Sequence, residues 1–186
     1  MHYHPHTVQL QAASALGTVR LAASPAGLVG VWFEGQRHEP VTRLYGTGAW
    51  PHAPGHALLQ AAALQLQQYL AAERSTFDLP LDLSGGTPFQ QSVWRALLAI
   101  GRGATTSYGA LSLQLGYPRA VRALGAAVGR NPLSVVVPCH RVVGSDGSLT
   151  GYAGGLDRKR ALLTLENAQL AATRAHSIAA TPQGFQ

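Results

Sequence analysis

The sequence predicts an α/β chain of the α+β kind: a small antiparallel sheet with one helix, followed by a helical half that carries a helix-turn-helix. Three observations point there. Two apolar, β-rich runs flank a turn signal near the start, a leucine stripe at helical spacing follows, and a Gly-Gly break leads into a succession of short helices.

Residues 17–23 and 27–33 are the two apolar runs, and Ser24-Pro25-Ala26 between them supplies the turn, so the pair reads as a hairpin. Residues 56–73 place Leu59, Leu66 and Leu70 on one helical face, with Leu58 beside them, among alanines and glutamines that favour helix. Leu83-Ser84-Gly85-Gly86 interrupts both periodicities and divides the chain into 1–83 and 84–168. Thr87-Pro88-Phe89-Gln90 then reads as a capping box: Thr and Gln side chains satisfy the free amides of a new helix, and proline sits at its first position. That helix should run to about Ile100, where Gly101 and Gly103 end it. Ser107 caps a second helix from Tyr108 to Leu115, stopped by Gly116, and a third is expected from Pro118 to about Val128. The last two form the helix-turn-helix, the third being its recognition helix. Small residues there, Ala120, Ala123, Gly125, Ala126 and Ala127, alternate with the long Arg119 and Arg122, which suits close approach to a partner or to a neighbouring helix. Residues 134–137 have a buried-strand pattern, and 169–186, rich in Ala, Thr and Gln, read as a flexible tail.

Charge is divided unevenly along the chain. Its formal net charge is +6, yet residues 1–83 hold four arginines against five carboxylates, while 84–168 hold nine cationic side chains against Asp146, Asp157 and Glu166. A basic half beside a near-neutral half suits a polyanion partner, and equally a protein kept soluble by its charge. There is no apolar run of eighteen residues and no basic-then-apolar start, so neither membrane nor secretion is expected, and the expected location is cytoplasmic. One cysteine, Cys139, makes no internal disulfide and no Cys-x-x-Cys metal clip. His2, His4 and His6 read as part of a frayed terminus, and no metal or cofactor is expected.

Cys139 therefore acts, if at all, as a thiol. A free cysteine is often a small buried hydrophobe, and His140 next to it on a strand would face the other way. A nucleophilic role needs the thiol activated by a base, a cation or a helix N-terminus.

Several motifs decide between these alternatives. Thr87-Pro88-Phe89-Gln90, Ser107-Tyr108, Ala123-Leu124-Gly125, Asn131-Pro132, Pro138-Cys139-His140-Arg141-Val142 and Gly151-Tyr152-Ala153-Gly154-Gly155-Leu156 occur in the order found in the O6-alkylguanine-DNA alkyltransferases, which 87–166 closely resembles. The first half resembles that family's ribonuclease-H-like domain more loosely. The resemblance implies direct-reversal repair: a single, irreversible transfer of an alkyl group from O6 of guanine in double-stranded DNA, with O4-alkylthymine a second candidate lesion, to Cys139. It implies that His140 takes the thiol proton through a water, that Glu166 orients His140, and that Asn131 ties the helix-turn-helix to this network. Tyr108 would contact the guanine and protonate it as it leaves. Arg122 would enter the minor groove and fill the space of the flipped nucleotide, with Arg119 and Ala123 beside it on the DNA. The carbonyls of Cys139 and Val142 would receive the guanine amine, and Tyr152, Ala153 and Gly154 would wall the pocket, Ala153 standing where some relatives have serine. The structural zinc of some relatives should be absent, and the protein is expected to be a monomer. Base-flipping proteins without an acceptor thiol, cysteine hydrolases and damage-responsive regulators are the competing readings. The presence of Cys139 argues against the first, and the thioether product against the second.

Overall fold

A computed structural model describes residues 1–168, and the expected tail lies outside the described residues. The first half is a three-stranded antiparallel meander, β1 (Val8–Ala12), β2 (Val19–Ser24) and β3 (Gly27–Phe33), in the order β1-β2-β3. The predicted hairpin is β2-β3, turning where Gly27 takes φ 153°; a Cβ there would lie 2.7 Å from the Pro80 carbonyl oxygen, so only glycine fits. A short α1 (Val41–Leu44) precedes α2 (Ala57–Leu70). The buried stripe of α2 is Leu59, Ala62, Leu66 and Tyr69, with Leu58 and Leu70 only partly buried at its flanks. It packs on one sheet face, while Tyr3, Trp32, Leu44 and Trp50 cover the other.

The N-terminus is not frayed as expected. The Tyr3 ring packs edge-on to Trp50 with centroids 4.9 Å apart, and the His2 amide donates to the Gly85 carbonyl at 3.1 Å. Apolar burial of that one ring outweighs the tendency of a terminus to loosen.

In the second half, α3 (Pro88–Leu98) opens with the predicted capping box, worth about 1 kcal/mol. Two-residue strands β4 (Thr106–Ser107) and β5 (Val142–Val143) pair in parallel, and α4 (Tyr108–Gln114) follows with Ser107 accepting from the Ala110 amide at 3.1 Å. The recognition helix, α5, spans Val121–Gly129, so it begins three residues later than predicted. Pro118 and Arg119 lie in a turn instead, because the Ala120 amide donates to the Tyr117 carbonyl at 2.9 Å and closes the chain before the helix starts. Trp94 of α3 donates its indole N–H to the Ala127 carbonyl at 2.9 Å, locking α5 against the core.

The expected strand at 134–137 is a turn. Asn131 curls it: its side-chain oxygen accepts from the Leu133 amide at 3.0 Å and its amide donates to the Val137 carbonyl at 2.8 Å. Val135 is forced to φ 73°, a conformation that costs a β-branched residue on the order of 1–3 kcal/mol. Apolar burial is common to strand and turn, which is why three valines misled the period-based reading. This turn docks on the sheet, since Val31 donates to the Pro132 carbonyl at 2.8 Å and accepts from Ser134 at 3.0 Å. The last helix, α6 (Leu156–Leu165), closes the fold and delivers Glu166 at its end. Among the described residues no helix is long and apolar enough to cross a membrane.

Candidate active site

Cys139 opens a single 3-10 turn, Cys139–Arg141, directly after the curled segment that Asn131 organises. Its side chain is buried but borders a pocket of about 80 Å³, also lined by Tyr108, Gly125, Tyr152, Ala153 and Arg37. Asn131 follows α5 by two residues, and its amide nitrogen stands 3.1 Å from Cys139 Sγ. Burial pushes the thiol up, and the Asn131 amide and the Lys159 ammonium partly offset that. The resting side chain is a neutral thiol that needs a base.

His140 is fully buried, and its Nε2 lies 2.6 Å from Glu166 Oε1. An ionised carboxylate only accepts, so Nε2 carries the hydrogen and Nδ1 is the free acceptor. Among the described residues Nδ1 has no hydrogen-bond partner. Burial lowers the pKa of His140, partly countered by Glu166, which keeps the ring neutral and able to take a proton. Cys139 and His140 lie in a 3-10 turn rather than on a strand, so the strand alternation expected to turn them to opposite faces does not apply.

Glu166 is held by more groups than the sequence suggested. Arg141 Nε donates to Oε2 at 2.8 Å and Arg141 Nη2 to Oε1 at 3.1 Å, while the Tyr69 hydroxyl also donates to Oε1. Burial alone would raise this carboxyl, but the hydrogen bonds from His140 and Arg141 overcome it and hold it well below the usual carboxylate range.

Lys159 is a further buried group not anticipated from the sequence. Its ammonium donates to the carbonyls of Val142 at 2.5 Å, Thr150 at 2.6 Å and Gly151 at 3.2 Å, and burial lowers its pKa to about 8. It thereby joins the turn after Cys139 to the loop opposite, and one lone pair of the Val142 carbonyl is already used. Tyr108, partly buried at the start of α4, reaches that same loop: its hydroxyl is 3.3 Å from the Gly151 carbonyl. Tyr152 is turned inward, and a Cβ on Gly154 would lie 2.8 Å from its ring, so glycine is required there for Tyr152 to pack. The Arg37 amide donates to the Ala153 carbonyl at 3.1 Å, and Arg158 donates to the Gly154 carbonyl at 3.0 Å and the Leu16 carbonyl at 2.8 Å. The first half of the chain therefore holds the pocket loop in place.

Of the predicted site residues, Cys139, Tyr108, Tyr152 and Ala153 line this pocket; Asn131 contacts Cys139 from behind it, His140 and Glu166 pair in the buried network of the same turn, Val142 is tied to Lys159, and Gly154 backs the Tyr152 ring. Arg122 and Ala123 lie instead on the exposed side of α5 and Arg119 in the turn before it, outside the pocket. Among the described residues no group of three or more His, Cys, Asp or Glu side chains is arranged to hold a metal ion.

Comparison with known proteins places this geometry. Residues 88–168 match the family model described as 6-O-methylguanine DNA methyltransferase, DNA binding domain, and 10–83 match its ribonuclease-like domain. The methylated-DNA--protein-cysteine methyltransferase of Mycobacterium bovis is 46% identical over 84% of this chain and 90% of its own length. The chain belongs to the 6-O-methylguanine DNA methyltransferase family. Another methyltransferase of this family, the inducible one of Bacillus subtilis, is 43% identical over 75% of the chain and 80% of its own length. A crystal structure of Mycobacterium tuberculosis OGT in complex with DNA superposes with a TM-score of 0.77 at 43% identity, covering 89% of this chain and 96% of that one.

Proposed function

We infer that this methyltransferase-family chain repairs DNA by direct reversal, moving the alkyl group of O6-alkylguanine in a duplex onto Cys139, as a cytoplasmic monomer. The observation that carries this reading is a thiol bordering a pocket, 3.1 Å from the Asn131 amide, with a neutral histidine and a multiply held carboxylate behind it.

In this reading the Cys139 proton passes through a water to His140 Nδ1. Glu166 steadies the imidazolium, while Asn131 and Lys159 favour the thiolate. Sγ then attacks the alkyl carbon, a carbon-sulfur bond forms and the carbon-oxygen bond breaks. The electron pair leaves with guanine, which Tyr108 protonates. Tyr152 and Ala153 of the loop at 151–153 wall the pocket of about 80 Å³ beside Cys139 that the base would enter. The basic exposed surface of Arg119 and Arg122 supplies the phosphate and minor-groove contacts, with Arg122 taking the space of the flipped nucleotide.

Single-turnover transfer from two substrates tests this reading, one a methylated duplex and the other free O6-benzylguanine. The wild-type chain should react with both. Arg122→Ala should slow the duplex reaction by roughly a hundredfold or more, comparable to losing one strong contact in a flipping step, and the free-base reaction by less than about threefold. Equal losses would place Arg122 in the pocket chemistry, and failure of the wild-type chain with both substrates would overturn alkyl transfer.

A further inference from the structure

The Tyr69 hydroxyl stands apart from the rest of its helix. The buried stripe of α2 is otherwise Leu59, Ala62 and Leu66, which only fill space, yet Tyr69 crosses from the first half of the chain to donate to Glu166 Oε1. It is held there from several sides. Phe77 stacks on its ring at 4.9 Å, Arg102 lies over the ring at 5.4 Å, and Arg141 Nη2 donates to its oxygen at 3.1 Å. Because Arg141 occupies the oxygen as a donor, the phenol hydrogen has to point at the carboxylate.

Oε1 is then the meeting point of three donors: the Tyr69 hydroxyl, His140 Nε2 and Arg141 Nη2. Two consequences follow from carboxylate geometry. The oxygen cannot rotate away from His140 without breaking two other hydrogen bonds. Charge density shared with the phenol is also withdrawn from the imidazole, so Glu166 binds His140 without over-stabilising its protonated form.

We propose that Tyr69 is a positioning residue for alkyl transfer, acting through Glu166 to fix His140 and to keep it a competent base. The proposal rests on the transfer reading above, and gives the first half of the chain a part in the chemistry beyond holding the pocket loop. The ionisable groups around His140 and Glu166 are Cys139 and Arg141 on the same turn, Lys159 on α6, Tyr69 on α2, Arg102 after α3, and the buried Tyr152 of the pocket loop. Glu166 holds Arg141 cationic, and Lys159 loses its charge only toward about pH 8, so the acid limb of the rate reports His140. Transfer requires neutral His140. Removing the phenol hydrogen leaves more charge on Oε1, strengthens its hold on the imidazolium and raises the pKa of His140.

The test is the pH dependence of single-turnover transfer from free O6-benzylguanine, from about pH 7.5 down to the lowest pH at which the chain stays folded, with the Cys139 adduct confirmed by peptide mass. Tyr69→Phe should move the acid limb toward neutrality by roughly half to one pH unit, so that the rate on that limb falls several-fold more than the rate at about pH 7.5. Phe77→Leu disturbs the same packing and keeps the hydroxyl, and should lower thermal stability with the limb unmoved. A fluorotyrosine at position 69, a stronger donor, should move the limb the opposite way, and it decides the matter should Tyr69→Phe fail to fold. A limb that stays in place in Tyr69→Phe, or in the fluorotyrosine protein if the former is unfolded, would reduce Tyr69 to a packing residue. A wild-type chain with no Cys139 adduct would remove the transfer reading itself, a different result.

Discussion

Cys139→Ala should abolish alkyl transfer, a drop of at least about 10⁴-fold, while duplex affinity changes by less than about threefold. The first half of that expectation rests on the nucleophile: the sequence holds one cysteine, and no other side chain borders the pocket as a thiol. The second half rests on separation, because Cys139 is buried whereas Arg119 and Arg122 lie on the exposed surface of the helix-turn-helix. Folding should survive, since an alanine fills nearly the same space and the Asn131 amide keeps its 2.8 Å bond to the Val137 carbonyl. Residual transfer at a tenth of the wild-type rate would mean that the acceptor lies elsewhere.

Arg141→Met carries the largest expected cost in stability. The substitution removes both guanidinium hydrogen bonds from Glu166 and leaves a carboxylate with no exposed surface beside a neutral histidine. Taking away one partner of a buried ion pair typically costs about 3–5 kcal/mol, so the melting temperature should fall by roughly 10 °C for a chain of this size. The pH dependence has a definite sign. Glu166 titrates below its ordinary value of 4.5 in the folded chain, so its contribution is fully present above that pH and fades as pH falls through the folded value. The penalty of Arg141→Met should accordingly be full at neutral pH and shrink below about pH 4. Adding Glu166→Gln, which removes the stranded charge, should restore part of the loss. Calorimetry showing a shift of under about 2 °C would mean that Tyr69 and His140 alone suffice to hold the carboxylate.

Much of the fold was legible because local signals agreed with their surroundings. The turn at 24–26 and the capping box at Thr87 and Gln90 have mechanisms that act within a few residues, and both formed as read. Strand β1 was not recognised, although Val8 and Leu10 alternate with polar residues and turns at 4–7 and 14–17 bound it; five residues give too little periodicity to stand out. The valines at 134–137 failed for the opposite reason: their β preference is plain, but the Asn131 side chain and the flanking prolines, set by tertiary contacts, bend the segment.

The candidate site was legible as a set of motifs, and less so as a network. Arg141 stood inside the most specific motif yet drew no role, since an arginine after a Cys-His pair looks like surface charge. Lys159 was hidden in the same way between Arg158 and Arg160. Its position was readable in principle: Lys159, Leu162, Leu163 and Glu166 lie at spacings of three, four and seven along one face of α6, all buried, which marks the lysine and the glutamate as core rather than solvated. Tyr69 gave no comparable signal. Its partner is 97 residues away, and only the packing of the two halves brings the phenol to Glu166.

The most direct measurement is a titration of a duplex carrying one O6-methylguanine against a fixed amount of protein, read by intact and peptide mass after long incubation. A thioether on Cys139 has no ready leaving path, and the chain offers no second thiol to take the group onward. Repair should therefore rise linearly and stop near one lesion per active molecule, with the Cys139 peptide heavier by one methyl group in equal measure. Repair continuing well past equivalence, with Cys139 unmodified at the end, would contradict transfer to the cysteine and point to hydrolysis instead.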